Sequence, residues 1–167
     1  VGMTTVAYCC VSPDGRTFAN EMVMDERTVA PLRAITRAVQ AANMDVCTRG
    51  REKQVDMGTT VVAWLLTTEG QCFIAHVGDS RAYRLRQGAL KRLTSDHSMV
   101  QQMIDDGILG EAEALTAPNR NIITRALGLD VKVKVDVRSW VHMPGDLYLL
   151  CSDGLTRRAA TTTSRCS

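Results

Sequence analysis

The chain has 167 residues, of which 45% are hydrophobic and 23% charged, and its formal net charge is +2. That length suits one domain with a real core. The near-neutral balance gives no argument for nucleic acid or a membrane surface, and aromatics at 4% are too few for a base-stacking platform.

No apolar run reaches the roughly 18 residues of a membrane span, and the first residues lack a basic stretch followed by an apolar core. Both observations lead us to expect a cytoplasmic protein. Six cysteines (Cys9, Cys10, Cys47, Cys72, Cys151, Cys166) include no C-x-x-C pair, and His76, His97 and His142 do not stand at zinc-finger spacing from them. Cys72 and Cys151 lie inside apolar runs, where a thiol behaves as a small hydrophobe.

In chain order, Thr4 to Val11 is β-like, Ser12-Pro13-Asp14-Gly15 is a turn, and Phe18 to Val29 has no clean period. Leu32, Ile35, Val39 and Ala42 recur at helical steps and predict a helix to about Cys47, followed by a solvated loop over 48–56. Gly58 to Leu66 is apolar without alternation and reads as a strand buried on both faces. Gln71 to Val77, Arg81 to Arg86 and Ala89 to Leu93 continue it as an antiparallel meander, with a hairpin at Gln87-Gly88. A helix from about His97 to Asp106 follows, capped by Asp96 or Ser95 and ended by Gly107. Residues 107–120 read as a mobile, partly helical excursion. Ile122 to Leu127 is short and apolar. Val131, Val133, Val135 and Val137 alternate with charged residues as a half-exposed strand. Leu147 to Cys151 reads as a buried strand ending at Ser152-Asp153-Gly154. From Arg157 the core pattern is lost. The sum is an α+β domain with an antiparallel sheet, over residues 1–156, and an unstructured or non-native tail over 157–167.

Two aspartates stand out. A lone aspartate beside glycine is an ordinary turn residue, but Asp79 and Asp153 each end an apolar strand, so both can face one cleft at a sheet edge. Hard carboxylates with water in the remaining positions suit Mg²⁺ or Mn²⁺. Gly58 could let another segment approach closely. His76 fits a satisfied core histidine, and Arg81 a structural arginine or a phosphate contact. There is no phosphate-loop, dinucleotide or nucleophile-elbow pattern.

Met57-Gly58-Thr59-Thr60, His76-Val77-Gly78-Asp79-Ser80-Arg81-Ala82-Tyr83, Leu93-Thr94-Ser95-Asp96-His97-Ser98, Thr124-Arg125-Ala126-Leu127-Gly128 and Gly145 to Thr156 occur in that order. Over roughly residues 32 to 156 the chain resembles the bacterial metal-dependent Ser/Thr protein phosphatases of type 2C (the PPM family). The resemblance implies an α-β-β-α sandwich: two packed antiparallel sheets with helices outside. It implies two Mn²⁺ or Mg²⁺ ions, with a third in some members, and direct attack of a metal-bound water on phosphoserine or phosphothreonine. Asp153 matches a ligand of the binuclear centre, Asp79 the aspartate associated with the weaker third metal, and residues 105–120 the flap beside the site. The implied partners are a phosphorylated protein substrate and a Ser/Thr kinase, and the implied state is a monomer.

Three departures bear on activity. Val1-Gly2-Met3 stands about where the family has Asp-Gly-Met-Gly-Gly, while Asp14-Gly15 lies too close to Gly58 and lacks the following glycines. The upstream arginine for substrate phosphate is missing, as is the closing Asp-Asn-x-Thr motif. The expectation is a domain incomplete at both ends and weakly active or inactive. The alternative is a non-catalytic, phosphatase-like binding or regulatory module.

Overall fold

Pro31 opens helix α1 (Pro31–Lys53), where its missing N–H costs nothing. The computed structural model describes residues 4–11, 17–24, 31–68, 70–114, 117–118 and 121–156, the first two stretches as backbone alone. Val1-Gly2-Met3, the Ser12-Pro13-Asp14-Gly15 turn and the 157–167 tail therefore lie outside the described residues.

The buried face of α1 carries Ala34, Ile35, Ala38, Val39, Asn43, Cys47 and Gly50, an unbroken run of three- and four-residue steps. That run explains why the helix passes through residues 48–53, which the charged side chains had suggested to be loop. Its end is a Schellman motif: Gln54 takes φ +54, and the N–H groups of Gln54 and Val55 donate to the carbonyls of Arg51 (3.2 Å) and Gly50 (3.0 Å). Arg51 and Lys53 in the last turn complement the helix dipole.

Among the described residues, eight strands form two antiparallel sheets. The first has the order β2 (Thr17–Met24), β1 (Thr4–Val11), β3 (Val61–Leu66), β4 (Gln71–Val77), β7 (Asp136–Val141); the second has β6 (Ala89–Arg92), β5 (Arg81–Arg86), β8 (Leu147–Cys151). β1 pairs over its whole length with β2, so the part of the stretch without a clean period up to Met24 is a strand; the rest of it lies outside the described residues. The predicted meander is two hairpins in different layers. β4 belongs to the first sheet and β5 to the second, because Gly78-Asp79-Ser80 carries the chain across, with Gly78 at φ +107.

β3 divides the core between its faces, as expected of a strand covered on both sides. Val61, Ala63 and Leu65 pack with Ile35, Val39, Ala75, Val77 and Leu127 under α1. Val62 packs with Ile74, Ala82 and Leu93 between the sheets, where Trp64, Trp140, Tyr148 and Leu150 extend the layer. The α+β sandwich of two sheets with flanking helices is thus present.

Two strands differ from expectation. β7 begins only at Asp136, opposite His76. Earlier residues would need rungs at Val77, the last residue of β4, and beyond it, where the chain turns away to the other sheet. Val133 and Val135 still pack against the core, so their alternation reports burial without ladder pairing. β8 is half-exposed: Tyr148 and Leu150 point inward, while Leu147 and Leu149 are 63% and 45% exposed on an edge strand. Helix α2 (Met99–Asp105) is capped by Ser98, whose hydroxyl accepts from Gln101 N–H at 3.2 Å, and is followed by Gly107 at φ +70. Helix α3 (Glu111–Ala114) is the helical part of the excursion. Among the described residues Cys47, Cys72 and Cys151 are free thiols, and no helix is long and apolar enough to cross a membrane.

Asn43 is the polar group that fixes α1 to the rest. Its amide donates to the carbonyls of Asp130 (2.8 Å) and Val131 (3.2 Å) and accepts from Gly128 N–H (2.8 Å). Gly128 needs its freedom there, with φ +90 and no room for a Cβ against the Met57 carbonyl and Val46. Replacing Asn43 by Ala removes three part-buried hydrogen bonds and is expected to cost about 1–3 kcal/mol. Urea unfolding measures that loss against the exposed control Gln40→Ala, for which less than about 0.5 kcal/mol is expected.

Candidate active site

The last rung of the β5–β8 ladder pairs Arg81 with Cys151. Asp79 stands two residues before Arg81 and Asp153 two residues after Cys151. In an antiparallel pair these displacements run the same way, so both aspartates lie just beyond one end of the second sheet. Both are half-buried. The structure therefore brings the two sequence-predicted carboxylates to a common edge.

The turn that carries Asp79 is held on every side. Ser80 shares a hydrogen bond with Thr60, Oγ to Oγ1 at 2.7 Å. A Cβ on Gly78 would overlap the Thr60 side chain, so the close approach expected at Gly58 occurs instead at Gly78, against Thr60. Thr59 exchanges backbone bonds with Leu127 at 3.1 and 2.8 Å, anchoring the segment from behind. Arg81 is structural: Nε and Nη2 reach Asp96 at 3.1 and 2.6 Å, and Arg92 binds the same carboxylate. That double claim on Asp96 is why Ser98 caps α2 in its place.

Behind the turn lies a buried imidazole pair. His76, only 3% exposed, bonds through Nε2 to the Ser95 carbonyl at 2.8 Å and stacks on His97 at 4.6 Å between centroids. His97, 7% exposed, accepts the Gly78 N–H at Nδ1 (3.0 Å), which places its proton on Nε2, facing Asp136 Oδ2 at 3.1 Å. Arg125 completes the group, with Nη1 3.1 Å from Asp136 Oδ1 and 3.2 Å from the Lys134 carbonyl. His76 is a core histidine, as its alternation suggested. The role of His97 was not legible, because its partners stand 19 and 39 residues away; the adjacent Asp96-His97 pair was the available signal.

Among the described residues, His76, His97 and Asp136 are the three ligating groups that come within 4.8 Å of one another. They are unsuited to a cation. Both ring nitrogens of His97 are engaged, and the Arg125 guanidinium stands 3.0 Å from Nε2. Burial lowers both imidazole pKa values below the ordinary 6.5, and Arg125 adds to this at His97. Burial opposes ionisation of Asp136, but the His97 bond and Arg125 outweigh it and hold the carboxyl below its ordinary range.

Between the native imidazole values and 6.5 the unfolded chain binds more protons, so stability rises with pH there. It is expected to be full above about pH 7 and to fall below about pH 6.5, by up to about 1.4 kcal/mol per pH unit for each imidazole. Urea unfolding across this range measures the slope, and His76→Phe is expected to remove one imidazole's share.

Two antiparallel sheets with carboxylates at one end, in Gly-Asp-Ser-Arg and Ser-Asp-Gly settings, define the class of metal-dependent protein phosphatases. Residues 3–102 match the family profile described as Protein phosphatase 2C, and the chain belongs to that family. It is 38% identical over 131 residues to the serine/threonine phosphatase stp of Listeria monocytogenes, a match covering 77% of this chain and 51% of the relative. The chain thus spans about half the length of that curated relative. The crystal structure of the Mycobacterium tuberculosis serine/threonine phosphatase PstP superposes with a TM-score of 0.75 at 28% identity, covering 92% of this chain and 80% of that one. The catalytic domain of PstP in complex with two manganese ions gives a TM-score of 0.70 at 27% identity, with the same coverage.

Proposed function

We propose that this chain is the sheet-end half of a phosphatase site acting on phosphoserine and phosphothreonine in proteins, and that Asp153 and Asp79 are its metal-binding carboxylates. The observation that carries this reading is the shared position of the two aspartates past the Arg81–Cys151 rung. Relatives support it: stp and PstP are serine/threonine phosphatases, and PstP has been solved with two manganese ions.

The donor chemistry fits a hard divalent cation, which is held by one or two carboxylates with water completing the shell. It does not distinguish Mn²⁺ from Mg²⁺. Asp79 and Asp153 do not join a third ligating side chain within 4.8 Å among the described residues, so a binuclear pair needs further donors. Bound divalent cations supply the acidity that turns water into a nucleophile at neutral pH and offset the charge of the phosphoryl group. The protein's own contribution is orientation. Asp79 is aimed by a turn with no freedom at Gly78, and Asp153 by the end of β8. Arg81 is committed to Asp96, so it leaves the substrate phosphate to other groups.

We expect the 167-residue chain alone to be weakly active or inactive, because the two carboxylates placed among the described residues do not by themselves hold two ions. Purified chain is expected to bind Mn²⁺ in calorimetry, to lose that binding in Asp153→Ala, and to hydrolyse p-nitrophenyl phosphate near background. Equal Mn²⁺ binding by wild type and Asp153→Ala would overturn the site, and clear Mn²⁺-dependent turnover would overturn the expected inactivity. Relatives named as phosphatases make the non-catalytic module the less supported reading.

A further inference from the structure

We infer that His97 is a positioning residue for Asp79, acting through Gly78, an assignment that rests on the metal-site reading of Asp79 given above. Residue 97 grips residue 78 through both of its backbone polar groups: the ring Nδ1 accepts the Gly78 N–H at 3.0 Å, and the His97 N–H donates to the Gly78 carbonyl at 3.0 Å. The peptide on either side of Gly78 is thereby fixed, and the next residue is Asp79. Gly78 itself cannot move toward β3, because Thr60 fills the space its Cβ would occupy.

The grip requires one tautomer. An imidazole accepts at Nδ1 only when that nitrogen is bare, and Asp136, held by Arg125, keeps the proton at Nε2. The same residue also ties down the base of the excursion. Thr124 N–H donates to the His97 carbonyl at 2.8 Å, and Met99 N–H donates to the Ile122 carbonyl at 3.0 Å. Both ends of residues 98–124 therefore meet at the residue that aims Asp79.

Two variants separate positioning from bulk packing. In His97→Asn the side-chain oxygen can stand where Nδ1 stood and accept the Gly78 N–H, whereas in His97→Phe nothing can. Both variants lose the bond to Asp136, so both lose stability. Only the second loses the grip. The experiment uses the full chain, with Mn²⁺ alone as the probe, followed by electron paramagnetic resonance. His97→Phe is expected to weaken Mn²⁺ binding by about tenfold or more and to speed hydrogen exchange at the Gly78 amide, while His97→Asn stays within about threefold of wild type in both. Unchanged exchange and binding in His97→Phe, or equal losses in the two variants, would overturn the assignment.

A measurement on wild type needs no variant. A scalar coupling between the Gly78 amide nitrogen and His97 Nδ1 is expected across the hydrogen bond, and its absence would overturn the assignment. Wild type that binds no Mn²⁺ would defeat the metal-site reading, and with it the claim that the grip serves metal binding. The coupling and the exchange rate would still decide whether His97 fixes the turn.

Discussion

Gly78 is the point on which the architecture turns. A strand that leaves one sheet and enters the sheet stacked on it must reverse its layer within a few residues. Here the change is made by Gly78-Asp79-Ser80 between Val77 and Arg81. The positive φ at Gly78 and the Thr60 side chain pressed against it leave no room for another residue. The carboxylate of Asp79 occupies its place because the backbone has no alternative path. The register of β5 on β8 then sets Asp153 past the same end of the second sheet.

Ion pairs brace the second sheet at both ends. Near the crossing, Asp96 gathers Arg81 and Arg92. At the far end, the fully buried Asp146 carboxylate takes Arg86 in a bidentate pair and also accepts from Met143 N–H and the Tyr148 hydroxyl. The Arg86 bond, against the cost of burial, keeps that carboxyl far below its ordinary pKa. Arg86 further donates to the Val141 carbonyl, so one guanidinium joins β5, the end of β7 and the turn into β8. Such pairs contribute little net stability against an apolar alternative. Their directional bonds fix the strand ends and turns of the second sheet, and the Arg86 bond to the Val141 carbonyl ties that sheet to the first.

The sequence made local periodicity legible and long-range pairing hardly at all. β4 and β5 fall where they are predicted, because each is a short run bounded by turn residues. Helix α1 was drawn too short because its terminal left-handed residue is Gln54, and glycine is the signal normally read at that position. Asp96 looked like a helix cap because the two arginines that claim it lie on other strands. The motif positions of Asp79 and Asp153 were legible as strand ends. A shared cleft could be expected from that, but the pairing of β5 with β8 that sets them past the same rung was not legible, since the two strands are separated by sixty-odd residues.

The same contrast separates the two acidic groupings. Asp136 lies beside Arg125 and the neutral, buried His97, so its charge is balanced within the fold and serves to set a tautomer. Asp79 and Asp153 sit half-buried at a sheet edge, where solvent can complete a cation's shell. A carboxylate behind a guanidinium is a poor ligand and a good anchor; a carboxylate at the mouth of a sheet is the reverse. In the proposed site the inner aspartate supplies rigidity and the outer two the metal chemistry, with His97 linking Asp136 to the Gly78 turn that carries Asp79.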